Sequence, residues 1–332
     1  MARPNDPVAA IDTPTLVVDL DAMERNLARM AAFARAAGVR LRPHAKMHKS
    51  AELARLQIAA GAVGVCVQKT SEAEALAAGG FLALSASTEV VAPAKLARLA
   101  ALARTLAGRG GRLAVAVDSA EGIDRLGEAV RAAGAGVEAG VFVEIDVGQG
   151  RCGVAPADRD PAAAVGLARR VTERPGLRLA GLQAYNGKAQ HVRTAAGRRA
   201  AVAAAVASAR ATREALEGAG LPCPLVTGAG TGTYMLEAAS GGDGELQAGS
   251  YPFLERDYAG NAADLVEVRV KLLGDATAIR LTYNTMLDAE RVAATLVFGD
   301  SASPAPLPFG ANMSARGETV VTVHGAWADV TR

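Results

Sequence analysis

Two histidines and two lysines crowd into six consecutive positions of the segment Arg42-Pro43-His44-Ala45-Lys46-Met47-His48-Lys49. If a strand leads into them, its alternation puts His44 and Lys46 on one face. A lysine at the edge of a cleft, partly stripped of water, gives up its proton more easily and can condense with an aldehyde, which arginine cannot do. Lysine is otherwise scarce, standing only at Lys46, Lys49, Lys69, Lys95, Lys188 and Lys271 among 36 basic residues. An exposed basic loop is the other reading of this segment.

A second segment, Thr227-Gly228-Ala229-Gly230-Thr231-Gly232-Thr233, is dense in glycine and hydroxyls. Gly228, Gly230 and Gly232 would let backbone amides approach an anion closely, and Thr231 and Thr233 would add hydroxyls at the start of the next helix. The loop holds no lysine or arginine, so it suits a single phosphate better than a nucleoside triphosphate. In a third segment, running from Glu144 to Gly153, Arg151 could donate to an acceptor nitrogen or a carboxylate, with Glu144 or Asp146 orienting it. A structural ion pair under a tight turn is the alternative there. Tyr185, in Gln183-Ala184-Tyr185-Asn186-Gly187, is either a core ring or a stacking and acid/base residue. A lysine amine, a phosphate cradle, a tyrosine and an arginine together describe a site for an aldehyde that carries a phosphate. Pyridoxal 5'-phosphate is such a molecule.

These segments need a frame that brings them together. From Val39 onward eight strand candidates succeed one another: Val39–Pro43, Val63–Gln68, Phe81–Ser85, Leu113–Val117, Val141–Asp146, Leu177–Tyr185, Pro224–Thr227 and Glu245–Ala248. Helical or glycine-loop crossovers separate them, with helices expected at Ser50–Ala60, at Ser71–Ala78 with Glu74 completing a capping box, at Pro93–Ala107, from Ser119, after Pro161 and at Ala195–Ala219. Apolar strands alternating with helices imply parallel pairing, and eight such units close a barrel, with reacting groups at the carboxyl ends of its strands. The dense glycine loop sits late in the series, which argues against a dinucleotide-binding open sheet. Ahead of the series, Thr15–Leu20 reads as a strand and Asp21 as the cap of a helix that Gly38 stops. Beyond Tyr258, runs at 265–273, 278–283, 292–298 and 318–323 look like strands without long helices between them. The expected fold is therefore α/β, a (β/α)8 barrel over 21–258, with a small β domain over 259–332 into which the strand at 13–20 pairs.

Composition limits the rest. A chain of 332 residues has room for a large core, and 36 basic against 34 acidic residues give a formal charge of +2, without the basic stripe of a nucleic-acid binder. The start lacks a basic then apolar leader, and the one long uncharged stretch, Ala219–Leu236, is broken by glycine and proline, so neither secretion nor a membrane is expected. Cys66, Cys152 and Cys223 are odd in number and have no paired ligand spacing, which points to reduced thiols in the cytoplasm.

The segments R-P-H-A-K-M-H-K-S, G-V-C-V-Q-K-T-S-E-A-E-A, F-V-E-I-D-V-G-Q-G-R-C-G-V, G-L-Q-A-Y-N-G-K-A-Q-H, T-G-A-G-T-G-T and E-L-Q-A-G-S-Y occur in order from about Thr13 to Tyr258. They resemble the fold-type III pyridoxal-phosphate enzymes of the D-threonine aldolase and D-serine dehydratase group, most nearly its D-threonine and 3-hydroxy-D-aspartate aldolases. The resemblance implies an alanine-racemase-like barrel, pyridoxal 5'-phosphate bonded to Lys46, the Gly228–Thr233 loop on its phosphate, and Arg151 and Tyr185 beside its ring. Lys46, His44 and Tyr185 form the expected catalytic set, and the expected reaction cleaves the Cα–Cβ bond of a β-hydroxy D-amino acid to glycine and an aldehyde. D-serine dehydration, racemisation on the same cofactor and a non-catalytic homologue are the alternatives. Asn186, Lys69 and Thr231 are supporting candidates, and His48, Lys49 and His191 are proton carriers. The resemblance also implies a divalent metal (Mn, Mg or Zn) in the C-terminal domain and a homodimer. After Tyr258 the group's Pro-Gly-His-Cys-Asp segment is missing, and the nearest substitute ligands are His324 and Asp329.

Overall fold

Local sequence sets most helix ends. In α1 (Leu20–Ala37) the Asp19 carboxylate accepts the Ala22 amide, and Gly38, at φ 66°, closes the other end. Ser50 and Ser119 cap α2 (Ala51–Ala59) and α5 (Ala120–Ala133) through their hydroxyls, and proline opens α4 (Pro93–Ala107) and α6 (Pro161–Thr172). The remaining helices are α3 (Thr70–Ala78), α7 (Ala195–Gly218) and α8 (Tyr234–Ser240).

The computed structural model describes residues 18–242 and 244–253, and beyond them the backbone of the strands between 265 and 331. The chain divides into two compact units, residues 1–190 with 196–254, and residues 191–195 with 255–332.

The first unit holds one sheet of parallel strands: β1 (Arg40–Leu41), β2 (Val65–Val67), β3 (Ala83–Ala86), β4 (Arg112–Val117), β5 (Ala139–Glu144), β6 (Leu177–Ala184), β7 (Val226–Gly228) and β8 (Glu245–Leu246). Their order is β1-β8-β7-β6-β5-β4-β3-β2. The two ends of that order meet: Cys66 N donates to Pro43 O at 2.9 Å, Ala45 N to Cys66 O at 2.8 Å and Val63 N to Leu41 O at 2.9 Å. The sheet is thus a closed (β/α)8 barrel, as the strand count anticipates. Apolar residues of the helices, such as Leu99, Leu106, Ile123, Leu126 and Leu216, form one cluster with the strands. On α1, Met23, Leu27, Met30 and Ala34 pack with Leu41, Leu246 and Tyr251.

Two expectations are corrected here. The strand expected at 13–20 does not reach its end, because Asp19 is the cap and Leu20 begins α1; residues 13–17 lie outside the described ones. Asp21 sits in the first turn instead, where an acid favours the helix dipole. In α3 the reciprocal acid is Glu72, whose carboxylate accepts the amides of Gln68 at 2.9 Å and Lys69 at 3.2 Å, while Glu74 reaches across to Arg98 on α4.

The second unit is described by its backbone strands. β9 (Leu265–Leu273) pairs antiparallel with β10 (Ala276–Tyr283), and β11 (Ala293–Phe298), β14 (Thr319–His324) and β15 (Trp327–Thr331) form a second antiparallel sheet. A short pair joins β12 (Ala305–Pro306) and β13 (Ser314–Ala315). Among the described residues no helix is long and apolar enough to cross a membrane.

Candidate active site

The residues singled out in the barrel segments all follow strands at one end of the barrel. After β1, His44 makes a bridge to Cys66, and the chain then turns through Lys46, with Lys49 held at φ 51°. The imidazole of His44 is buried. Its Nδ1 accepts the Lys46 amide at 3.2 Å, and its Nε2 lies 2.9 Å from the Ser87 hydroxyl, which donates onward to Val67 O at 3.3 Å. That pattern assigns the neutral tautomer with the proton on Nε2. Burial, together with the Lys46 charge, pushes the His44 pKa down to about 3. Lys46 itself is exposed, and its ammonium stands 5.8 Å from the centroid of the Tyr185 ring, which follows β6.

Strand β7 runs into the glycine loop. Ala229 adopts φ 61°, a left-handed backbone in a fully buried residue. An added Cβ at Gly230 would meet Gln190 Oε1 at 2.4 Å, so any side chain there has to displace the Gln190 amide. Gln190, itself fully buried, braces the loop: its Oε1 accepts the Gly232 amide at 2.8 Å and its Nε2 donates to the Thr233 hydroxyl at 2.6 Å. Thr233 in turn donates to Glu237, whose carboxyl burial pushes up to about 7. Thr231 Oγ1 accepts the Ser250 amide at 3.0 Å, and a Cβ on the neighbouring Gly249 would lie 2.5 Å from His44 O. The glycine loop and the Lys46 turn are therefore joined through Gly249 and Ser250, on one rim.

Arg151 follows β5. Its guanidinium lies 3.9 Å from the Glu144 carboxylate, too far for a hydrogen bond. Of the two acids offered as its orienting partner, Glu144 is the near one. Asp146 instead accepts the amides of Gly148 at 3.1 Å and Gly150 at 2.8 Å and shapes the turn. Burial and the Glu89 carboxyl beside it push Glu144 well above the usual carboxylate range. Burial and Glu89 likewise push the Cys152 thiol up to about 11. Glu89, Asp118 and Cys152 bring ligand-type atoms within 4.8 Å of one another, an arrangement able to attract a cation.

Beneath the rim the lumen is polar. Gln183 on β6 donates to Ser87 O after β3 at 3.2 Å, a contact that has to cross the barrel because β4 and β5 separate those strands. Its Nε2 also donates to Glu144, and its Oε1 accepts from Gln247 at 3.3 Å. One network therefore ties His44, below the Lys46 turn, to Glu144, below Arg151.

Gln183, Gln190, Gln247 and Glu89 carry much of this framework and were not singled out from the sequence. Glutamine inside an apolar run has no signature of its own, because its partners lie on distant strands. Of the supporting candidates, Asn186 is buried and donates to Val147 O at 3.2 Å, His48 Nε2 lies 3.2 Å from Gln57 Oε1, and Lys49 pairs with Glu72 at 3.7 Å. Lys69 precedes α3. The side chains of His324 and Asp329 lie outside the described residues.

A family model, alanine racemase N-terminal domain, matches residues 18–254. The chain belongs to the alanine racemase N-terminal domain family. Within it, the D-threonine aldolase of Arthrobacter sp. is 45% identical over 263 residues, which are 79% of this chain and 66% of that protein. The 3-hydroxy-D-aspartate aldolase of Paracoccus denitrificans (strain Pd 1222) is 44% identical over 258 residues, 77% of this chain and 64% of that one. This chain thus spans a little under two thirds of the length of those two relatives. The crystal structure of D-threonine aldolase from Filomicrobium marinum superposes with a TM-score of 0.73 at 39% identity, covering 84% of each chain.

Proposed function

We propose that the chain is a pyridoxal-phosphate-dependent lyase that cleaves the Cα–Cβ bond of β-hydroxy D-amino acids, D-threonine or 3-hydroxy-D-aspartate, to glycine and an aldehyde. The observation that carries this reading is the union of the Lys46 turn and the glycine loop on one rim, through His44, Gly249, Ser250 and Thr231. The aldolase relatives support the choice of reaction. The residues fit the cofactor: an amine beside an aromatic ring, and a loop ahead of α8 with glycine at 228, 230 and 232, where no Cβ keeps an anion from the backbone. When bound, the cofactor supplies a conjugated ring that draws electrons out of a bond to the substrate's α carbon.

This chain's own residues do the rest. Lys46 Nζ is the amine that would hold the cofactor at its aldehyde end. The loop from Gly228 to Thr233, stiffened by Gln190, would hold the phosphate end. Tyr185, its ring centroid 5.8 Å from Lys46 Nζ, would lie beside the cofactor ring and serve as an acid/base group. Arg151 would donate to an acceptor on the cofactor ring, and Glu144, 3.9 Å from its guanidinium, is too far away to hold it by a hydrogen bond. His44, neutral, orients the turn from below and has no charge to compete with the amine. We assign the barrel to residues 21–258 and the small β domain to 259–332, and infer a cytoplasmic homodimer. The candidate metal ligands His324 and Asp329 lie in the second unit, and no step is derived through them. Product analysis of the cofactor-loaded protein tests the reading: D-threonine should give glycine and acetaldehyde in equal amounts. Ammonia with a keto acid would assign a dehydratase instead.

A further inference from the structure

The opposite end of the barrel carries a feature that takes no part in that reading. At the N-terminal ends of the strands, a cavity of about 180 Å³ opens among Arg40, Arg42, Arg112 and Arg178. Two carboxylates answer these four cations. Glu245, fully buried, accepts from Arg40 Nη2 and Arg42 Nε, each at 2.8 Å, and the exposed Glu138 accepts from Arg178 Nε at 2.8 Å. Four guanidinium groups against two carboxylates leave two positive charges in excess. Arg112 has no acidic partner among the described residues.

The floor is shaped to receive the guanidinium heads. A Cβ on Gly64 would sit 2.1 Å from Arg42 Nη1, and one on Gly140 would sit 3.3 Å from Arg178 Nη2. Glycine at both strand starts therefore leaves the space that these heads occupy. Like charges gathered around one cavity repel unless something neutralises them, and the planar fork of arginine matches phosphate and carboxylate oxygens.

We propose that this basal cavity binds a compact polyanion, one bearing two or more negative charges on phosphate or carboxylate groups, at the end of the barrel opposite Lys46. The site is independent of the reaction assigned to the other rim. Thermal melts of the full chain saturated with pyridoxal phosphate, so that the glycine loop is filled, test it. Inorganic phosphate and citrate are compared with sodium chloride at matched ionic strength, which removes general screening. At ten times its dissociation constant, one of the two anions should raise Tm by about 2–3 °C beyond the chloride control. Arg112→Ala and Arg178→Ala should each weaken that anion by about tenfold or more and leave the cofactor's absorption spectrum unchanged. Arg112→Lys keeps the charge without the fork and should fall between. A response to phosphate alone identifies a phosphate ligand, and a response to citrate alone a polycarboxylate. The proposal is overturned if neither anion exceeds chloride in the unaltered protein, or if the increment survives in the double alanine variant.

Discussion

At the scale of single residues, the rim is set by how burial treats charge. His44 is held neutral by burial, with the nearby Lys46 charge adding to the effect, and its Nδ1 accepts the Lys46 amide. Between its unfolded pKa of 6.5 and its folded value of about 3, the unfolded chain binds the extra proton. Stability is then expected to fall as pH drops through that window, by up to about 1.4 kcal/mol per pH unit from this residue. Urea unfolding at several pH values should show a shallower acid slope for His44→Gln; equal slopes would remove the assignment. Glu144 behaves with the opposite sign. Its folded state holds a proton above the carboxylate range, so stability drains away as pH rises past that range. Glu144→Gln cannot ionise, and its Tm relative to the parent is expected to climb from pH 6 to pH 9. A constant difference would mean that Glu144 is already ionised. The scarcity of lysine in an arginine-rich chain marked the His44–Lys49 segment as a place for a candidate amine, and the family resemblance chose Lys46 within it. The glutamines that tie the lumen together were not legible, since their meaning depends on partners such as Ser87 and Glu144 on other strands.

At the scale of elements, helix ends were legible wherever the cap is a local matter. Proline and the following glycine bracket α4 at the residues the sequence indicates. Errors came where two neighbouring acids compete for one role, as with Asp19 against Asp21 and Glu72 against Glu74, because only the folded turn shows which carboxylate reaches an amide. The irregularity in β6 was hidden for a similar reason. Its register against β5 jumps from Leu179 to Gly181, a bulge at Ala180, and Gly181 takes φ 132° with Leu225 O where a Cβ would be, at 1.8 Å. Gly181→Ala should therefore cost at least about 3 kcal/mol, read as a lower denaturation midpoint; a loss under about 1 kcal/mol would show that the strand yields easily. In the glycine loop, Gly230→Ala forces the braced Gln190 amide aside. Titration of the variant with pyridoxal phosphate should show a dissociation constant raised about tenfold or more, with Gln190→Ala in the same chain recovering part of it. An unchanged constant would separate this loop from the phosphate.

At the scale of the molecule, the eight-unit rhythm made the barrel legible before any contact was known, because parallel strands buried on both faces have few other ways to close. What the rhythm could not tell was that the seam between β1 and β2 runs through His44 and Cys66, so that closure of the barrel also fixes the Lys46 turn. Closing the barrel and placing the amine are one event, and damage to the seam should reach both. The account as a whole rests on that amine. The protein is incubated with pyridoxal phosphate and reduced with borohydride, and its peptides are weighed by mass spectrometry. The peptide containing Lys46 is predicted to gain the reduced cofactor, with no gain on it in Lys46→Ala. Label on another lysine, or none in the unaltered protein, would contradict the account.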